Sequence, residues 1–487
     1  MADPTLAPFL ALHRDGRFPE AEAGYRRCLA EGVDATLPLS ALLLQQARHA
    51  EAIEILEPVC AAQPGNATAA VNLSIALRSV GRCEEALQAA TRACDVAPGN
   101  PGACNARGLA ALELGDAQQA LSAFEQGLRH APGTIALELH RSKALRKLDR
   151  MRDAVAALER IVKIAPDLLE AWRDLAVAQR ALGLHAPALQ SAAQALKLAP
   201  NDLEVALEHA VALLHAGETA KAAKRLEKLE GDAQTWMWLG QARLRQNDVP
   251  GARAALERAA ALDPDNPFIR HFLTAASGDV PQEIEVDYIR GLFDEFAGRF
   301  EVTLLDKLGY SAPKQIAHFL REHAADDARD VLDLGCGTGL MGAELAAPER
   351  RIDGVDLSER MLAQARAKGI YDELHAAELL GFLRDSPRQW DLAVAADVFI
   401  YVAELAPIFA AAFDRLRAGG YLAFSIECSD TRETQLLART GRYRHAPGQL
   451  VEALHAAGFR DVRRESVALR LESGLPVVGE LILARRP

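Results

Sequence analysis

The chain has 487 residues, of which 50% are hydrophobic and 25% charged, and its formal net charge is −12. This length exceeds what one hydrophobic core supports, and the composition is typical of folded domains, so several domains are expected and an intrinsically disordered chain is excluded. The acidic balance also argues against nucleic acid as a partner, because that binding depends on clustered Lys and Arg.

The seven cysteines are odd in number and form no Cys-x-x-Cys pair, so neither a disulfide framework nor a zinc site is indicated. The first residues do not combine a charged start with an apolar run, and a run of about eighteen apolar residues occurs nowhere in the sequence. We therefore expect a cytoplasmic protein without a membrane anchor and without a bound metal.

The first half of the chain repeats a unit of 34 residues. Prolines that end helices, alanines within helices and glycines in turns all keep this period. The periodic positions are Pro64, Pro98, Pro132, Pro166 and Pro200; Ala52, Ala86, Ala120, Ala154, Ala188 and Ala222; and Gly81, Gly115, Gly183 and Gly217. The pattern predicts paired amphipathic helices and resembles the tetratricopeptide repeat. We expect an all-α solenoid of about eight repeats over residues 5–268, followed by a linker at 269–282.

The resemblance to tetratricopeptide repeats implies a concave face that binds a protein partner or a protein substrate. Arg78, Arg146 and Arg180 occupy equivalent positions on that face and suit an acidic segment. Glu170 and Glu204 are expected on the same face, so a mixed, solvated surface is the stronger interpretation.

The second half of the chain has a different pattern. After a helical stretch that follows the repeats, short apolar runs alternate with helical ones, which predicts an α/β domain at residues 283–487. Seven strands are expected, the last two as an antiparallel pair. Their ranges are 330–334, 351–356, 373–377, 391–396, 421–427, 462–471 and 477–484.

The first of these strands runs into a glycine-rich turn, DLGCGTGL, at residues 333–340. Glycines there let the backbone approach a ligand at the carboxyl edge of a sheet, and Asp356 ends the second strand, where a ribose would present its hydroxyls. A dinucleotide-binding turn has a third glycine where Leu340 stands. Asp333 would sit poorly beside a pyrophosphate but suits the cationic amino group of a methionine moiety. A nicotinamide-dependent oxidoreductase is therefore the weaker alternative.

The stretches VLDLGCGTGLMGAEL and IDGVDLSERML resemble motif I and the acidic motif after it in class I S-adenosylmethionine-dependent methyltransferases. The resemblance spans roughly residues 283–487. It implies a Rossmann-like seven-stranded fold and S-adenosyl-L-methionine as the cofactor. The cofactor contacts that it implies are Asp333, Gly335, Cys336, Gly337 and Gly339 at the amino-acid end, Asp356 at the ribose, Leu357, Met361 and Glu378 at the adenine, and Asp397 near the methyl group. Core packing is the alternative role for Leu357 and Met361, and helix capping is the alternative for Glu378.

A helical segment before the glycine-rich turn carries Tyr288, Phe293, Phe296 and Phe300, in a chain with only 5% aromatic residues. It resembles the aromatic segment that covers the cofactor in small-molecule class I enzymes, although aromatic residues at helical spacing often pack in a core. A similar segment precedes the methyltransferase fold in bacterial predicted methyltransferases that carry tetratricopeptide repeats, and this chain resembles them in architecture.

Methyl transfer from a sulfonium is an in-line displacement, so the protein mainly aligns the acceptor. If a base assists, the candidates are Asp397 and Tyr401 after the fourth strand and His445 in the GRYRHAPG loop. Packing is the alternative for Tyr401, and helix capping for His445. The segment after the fourth strand lacks the Asn-Pro-Pro or Asp-Pro-Pro signature of base methylation, so we expect a protein or small-molecule acceptor. A repeat scaffold whose second domain only binds the cofactor is the alternative function.

Overall fold

The computed structural model describes residues 4–229, 231–279, 285–301, 304, 309–323, 325, 327–472 and 475–487. Helices make up its first part, and helices alternate with strands in its second part. The chain divides into two compact units, Met1–Gln179 and Arg180–Pro487. Because the division falls inside a helix of the repeat array, the last repeats belong to the same compact unit as the α/β fold.

Seventeen helices make up the described part of the array. They are α1 Ala7–Arg14, α2 Phe18–Ala30, α3 Thr36–Gln45, α4 His49–Ala62, α5 Ala67–Ser79, α6 Cys83–Val96, α7 Pro101–Glu113, α8 Ala117–His130, α9 Ile135–Lys147, α10 Met151–Ile164, α11 Leu169–Ala181, α12 His185–Leu198, α13 Leu203–His215, α14 Thr219–Leu226, α15 Ala233–Arg245, α16 Val249–Leu262 and α17 Pro267–Ser277. The first sixteen form consecutive helix pairs with the predicted short turns.

Small residues and left-handed turns shape each repeat. A Cβ added at Gly108 would lie 2.3 Å from the Phe124 ring, so only a small residue fits at this crossing of α7 and α8. The turn at Gly115 has a φ of 85°, which glycine adopts at little cost. Ala47 and Asp149 have positive φ at the equivalent turns of other repeats. The left-handed backbone conformation therefore recurs even in repeats that have no glycine at this position of the turn.

The structure differs from the predicted linker at 269–282, because α17 covers its first part. Asn266 Oδ1 accepts a hydrogen bond from the backbone N–H of Phe268 at 3.1 Å, which caps the start of the helix. Ile269 is buried, so apolar packing continues past the predicted end of the array. The rest of the predicted linker from residue 280 lies outside the described residues.

The α/β part contains seven further α-helices and nine strands within its described residues. The helices are α18 Val286–Phe296, α19 Ala312–Glu322, α20 Leu340–Leu345, α21 Glu359–Lys368, α22 Leu379–Asp385, α23 Ala406–Arg415 and α24 Pro447–Ala457. The strands are β1 Asp330–Leu334, β2 Arg351–Asp356, β3 Glu373–Ala376, β4 Trp390–Ala395, β5 Leu416–Glu427, β6 Gln435–Leu437, β7 Arg442–Arg444, β8 Arg460–Glu472 and β9 Leu475–Arg485.

Seven of these strands form one sheet in the order β3-β2-β1-β4-β5-β9-β8. The first five are parallel, and β9 pairs antiparallel with both β5 and β8. From β1 the chain builds outward through β2 to β3 on one side, and β4 then pairs with the other side of β1. A crevice opens between β1 and β4 at the carboxyl ends of the strands. A separate hairpin of β6 and β7, which the sequence did not predict, completes the strand set.

Among the described residues, no helix combines the length and the apolar character that a bilayer crossing requires.

Candidate active site

A cavity of about 230 Å³ opens beside the carboxyl ends of the parallel strands. It is lined by the turns that follow β1, β2, β3 and β4, and most of its wall is apolar. The charged residues that line it are Asp356, Glu378, Asp397, Arg442 and Arg470. The sequence predicted a ligand site at this edge, and the structure brings most of the predicted residues there.

The turn after β1 brings its backbone to the cavity at Gly335 and Gly337, whose φ values are 66° and 55°. A Cβ added at Gly335 would lie 2.6 Å from a methyl carbon of Val398, so no larger residue fits without displacing this neighbour. Gly339 has a φ of 89° and begins α20, but it is not among the described residues that line the cavity. The first two glycines therefore form the part of the turn that faces the cavity.

Asp356 is held in place by two backbone hydrogen bonds. Its Oδ2 accepts from the N–H of Gly337 at 2.9 Å, and its Oδ1 accepts from the N–H of Ser358 at 2.9 Å. Burial raises the pKa of Asp356, while these N–H groups act in the opposite direction. Each carboxylate oxygen retains a lone pair that can accept a hydroxyl of a ligand.

Asp333 is a buried carboxyl group with one unused oxygen. Its Oδ2 accepts a hydrogen bond from the Tyr371 hydroxyl at 2.6 Å, whereas Oδ1 has no hydrogen-bond partner among the described residues. Burial raises the pKa of Asp333 to about 7; the hydrogen bond from Tyr371 lowers it, the charge of Asp356 raises it, and the backbone N–H of Gly342 lowers it. Asp333 is only 1% exposed and is not one of the described cavity-lining residues. A buried carboxylate in this position would gain from a cationic partner.

The predicted adenine contacts differ in their surroundings. Leu357 lines the cavity, whereas Met361 is fully buried and is not among its described lining residues. Glu378 lines the cavity and also caps α22, because its Oε1 and Oε2 accept from the N–H groups of Leu380 and Gly381 at 2.8 and 2.7 Å. Glu378 therefore caps α22, which was the alternative role expected for it, and its carboxylate also lies at the cavity wall.

Cys336 contributes its backbone rather than its thiol to the turn. Its N–H donates to the carbonyl oxygen of Val355 at 3.0 Å, which ties the turn to β2. Burial raises the pKa of the Cys336 thiol well above its usual range. The described lining of the cavity does not include this residue.

Asp397 has a positive φ of 56°, a conformation that costs a residue other than glycine about 1 to 2 kcal/mol. Ser425 holds it there, since its Oγ accepts from the Asp397 N–H at 2.8 Å and donates to Oδ1 at 3.0 Å. Oδ2 accepts from Arg470 at 2.7 Å. Burial raises the pKa of Asp397, and the positive charge of Arg470 lowers it. The carboxylate thus lies at the cavity wall in a fixed, ion-paired position.

Arg470 and Arg442 line the same end of the cavity, and the sequence analysis missed both. Arg470 donates to Asp397 and to the buried Glu427. A register shift in β8 between Ala468 and Arg470 places two consecutive buried residues at this point of the strand. A regular strand alternates buried and exposed residues, and this pattern does not reveal a bulge. The arginine inside a predicted strand was the one sequence signal for this site.

Tyr401 and His445 have different positions. Tyr401 lines the cavity, and its ring meets Phe293 edge to face with 5.1 Å between centroids. His445 is fully buried, is absent from the described lining, and its Nε2 forms a hydrogen bond of 2.9 Å with the carbonyl oxygen of Phe399. Burial raises the pKa of Tyr401 and lowers that of His445. No side-chain hydrogen bond caps α24 in the described part of the chain, so His445 braces the loop after β4 instead of capping that helix.

The aromatic segment in α18 and just after it divides between two environments. Phe293, Phe296 and Phe300 line the cavity, as expected for a segment that covers a ligand. Tyr288 stacks on His271 of α17 with 3.8 Å between ring centroids. Tyr288 therefore joins α18 to the last helix of the array within the second compact unit.

The arginines predicted on the concave face are paired with acidic residues. These pairs reduce the positive charge available to an acidic segment and favour the interpretation of a mixed surface. The pairs are Arg78 with Glu113 at 2.6 Å, Arg146 with Asp174 at 2.6 Å and Arg180 with Glu208 at 3.2 Å.

The part of the chain that the structure describes contains no group of three or more His, Cys, Asp or Glu side chains arranged to hold a metal ion.

Known proteins resemble the two parts of the chain separately. Residues 332–422 match the family described as a methyltransferase domain, and residues 37–101, 111–179 and 207–267 match tetratricopeptide-repeat families. The ubiquinone biosynthesis O-methyltransferase of Aromatoleum aromaticum is 31% identical over 99 residues, which are 20% of this chain and 42% of that protein. The biotin biosynthesis bifunctional protein BioHC of Saccharophagus degradans is 32% identical over 129 residues, 25% of this chain and 22% of that protein.

The chain spans less than half the length of these two curated relatives. The solved structure of the N-methyltransferase NodS from Bradyrhizobium japonicum, in complex with S-adenosyl-l-homocysteine, is 21% identical, covers 36% of this chain and 85% of that one, and has a TM-score of 0.30. The matched domains and the sheet order define a methyltransferase domain fused to tetratricopeptide repeats. The fold classes predicted for both halves of the chain, an all-α repeat array and a Rossmann-like seven-stranded sheet, are confirmed.

Proposed function

We propose that this chain is an S-adenosyl-L-methionine-dependent methyltransferase whose cofactor site is the glycine turn together with Asp356. One observation carries the proposal: the turn after β1 and the carboxylate at the end of β2 meet at one cavity, joined by the hydrogen bond from the Gly337 N–H to Asp356. A backbone approach beside a fixed carboxylate suits a ligand that combines a ribose with a charged amino-acid end.

The residues present fit the parts of this cofactor. Asp356 offers both oxygens to the ribose hydroxyls, and Leu357 offers an apolar surface to the adenine. Asp333 places a buried carboxyl group at the start of the glycine turn, where its negative charge favours a cationic amino group in the cavity, although it is not among the described lining residues. Glu378 lies where its carboxylate can accept from the adenine amine while it caps α22.

When bound, the cofactor supplies a methyl group on a sulfonium leaving group. The acceptor atom uses its lone pair to form the new bond to the methyl carbon, and the electrons of the broken carbon–sulfur bond stay on sulfur. The protein's contribution is alignment of the acceptor and exclusion of water, for which Phe293, Phe296 and Phe300 form an apolar wall. A hydroxyl acceptor would pass its proton to the Asp397 carboxylate at the cavity wall. Burial raises the pKa of Tyr401, so its phenol stays protonated and can only donate a hydrogen bond, and His445 is placed away from the wall.

We propose that the repeats bind a protein partner and that the acceptor is a protein side chain or a small molecule. The apolar cavity favours a small acceptor. Every proposed cofactor residue follows Asp330, so the repeats act on the choice of acceptor or partner and not on the binding of the cofactor.

Transfer of a labelled methyl group tests this function. The full chain is incubated with methyl-labelled cofactor and a lysate of the source organism, and the products are separated by size. Label should enter a protein or a metabolite fraction, and the Asp356→Ala variant should transfer far less at a cofactor concentration near the native dissociation constant. Glu359→Ala, which changes an exposed acid three residues further on, serves as the matched control and should transfer as the native chain does. Cofactor binding without any transfer would instead support a repeat scaffold that only binds the cofactor.

A further inference from the structure

The two arginines at the acceptor end of the cavity are engaged to different degrees. Arg470 is only 4% exposed and makes short contacts with Asp397 and Glu427, so its donors are committed to holding these carboxylates. Arg442 is 20% exposed, and its contacts with Glu427 and Glu472 are long, at 3.2 and 3.4 Å. A guanidinium has five N–H donors, so Arg442 retains donors for a ligand in the cavity that it lines.

The charges around this position are shared unevenly between the arginines. Glu427 is 2% exposed and lies within 4 Å of three guanidinium groups, those of Arg470, Arg442 and Arg444. Asp397 pairs with Arg470, and Arg444, which is 35% exposed, also lies 3.7 Å from the exposed Asp430. Glu472, the further partner of Arg442, is 34% exposed, so water screens its charge. Of the two arginines that line the cavity, Arg442 is therefore the less neutralised, because it shares Glu427 with Arg470 and its other partner is screened, so it can still bind an anion.

The other residues that line this end of the cavity are mainly apolar, so the uncharged part of a bound anion should also be apolar. Phe293, Ile400 and Val402 line the cavity together with the Tyr401 ring. A multiply charged or sugar-like ligand would leave polar groups against these walls without partners. A carboxylate matches the planar fork of a guanidinium, which can donate two parallel hydrogen bonds to it.

We propose that the acceptor is an apolar carboxylic acid and that the Arg442 guanidinium binds its carboxylate. This inference rests on the proposed function, because it treats this end of the cavity as the acceptor site. Arg442 then selects an acceptor that carries a negative charge, and the aromatic wall selects its apolar body. Arg470 holds Asp397 in place.

The test is calorimetric titration of the full chain saturated with S-adenosylhomocysteine. The probes are octanoate and 3-phenylpropanoate, each compared with its primary amide, which has nearly the same shape and no charge. The native chain should bind each acid at least about tenfold more tightly than its amide, as expected for a charge-assisted pair. Arg442→Gln should remove this preference and leave the affinity for S-adenosylhomocysteine within about twofold. Arg442→Lys should retain part of it.

Arg444→Gln is the matched control, because Arg444 also lies near Glu427 but is not among the described lining residues. It should leave the preference for acids unchanged. Equal affinity of the native chain for acids and amides would overturn the proposal, as would failure to bind either acid in the presence of bound S-adenosylhomocysteine. The same loss in Arg442→Gln and Arg444→Gln would assign the effect to general charge and would also overturn it. Failure to bind S-adenosylhomocysteine itself would instead contradict the proposed function.

Discussion

Asp333 should make cofactor affinity depend on pH. Burial raises the pKa of its carboxyl to about 7, so in the free protein this group is mostly protonated at pH 5.5 and mostly ionised at pH 7.5. A cationic amino group bound at the glycine turn favours the ionised form of Asp333, so binding at low pH releases a proton. Linkage then predicts that affinity falls as the pH is lowered through 7, by at most about tenfold per pH unit and at most about twenty-fivefold between pH 7.5 and 5.5.

The assay is calorimetric titration of the full chain with S-adenosylhomocysteine at several values in this pH range. Two controls isolate Asp333. The ligand 5′-methylthioadenosine lacks the amino-acid end, so its affinity should change less with pH. Asp333→Asn should weaken S-adenosylhomocysteine binding by about tenfold to a hundredfold at pH 7.5 and remove most of the pH dependence. Burial also raises the pKa of Asp356, but the ribose is common to both ligands, so its effect cancels in the comparison. Equal pH slopes for the two ligands would refute the reasoning.

Two further predictions concern α17 and the cavity wall. A fragment of residues 267–487 should melt at a higher temperature than a fragment of residues 283–487, because only the longer one keeps the stacking of His271 on Tyr288. Both fragments should bind S-adenosylhomocysteine with the same affinity. Equal melting midpoints would contradict the stabilising role of α17. Asp397→Asn should lower turnover on a hydroxyl acceptor by at least about tenfold, because it removes the carboxylate that would accept the proton. Steady-state kinetics with labelled cofactor would check this, with Tyr401→Phe as the control, and unchanged turnover in Asp397→Asn would assign the proton to another group.

The sequence predicted the elements whose patterns are continuous. The bounds of β1 and β2 agree with the prediction, since each strand carries buried apolar residues and is followed by a turn. The glycine turn and Asp356 were also placed at one ligand site, since glycine spacing and a carboxylate at a strand end are local signals. Their position beside one cavity agrees with that reasoning.

What the sequence did not predict depends on contacts between distant segments. Tyr371 meets Asp333 only through the fold, and the bulge that places Arg470 beside Asp397 interrupts the alternation of β8. The β6–β7 hairpin has strands of three residues, too short for a recognisable pattern. Helix α17 lacks the 34-residue repeat pattern, so a linker was predicted although its apolar residues continue the array packing.

The central claim is that the glycine turn and Asp356 bind S-adenosyl-L-methionine. Calorimetric titration of the full chain with S-adenosylhomocysteine at pH 7.5, in parallel with Asp356→Ala and the exposed-site control Glu359→Ala, tests it most directly. The native chain and Glu359→Ala should bind with equal affinity. Asp356→Ala should lose about 2 to 3 kcal/mol of binding free energy, roughly a hundredfold in affinity. Unchanged affinity in Asp356→Ala, or a native chain that binds NADH and not S-adenosylhomocysteine, would contradict the claim.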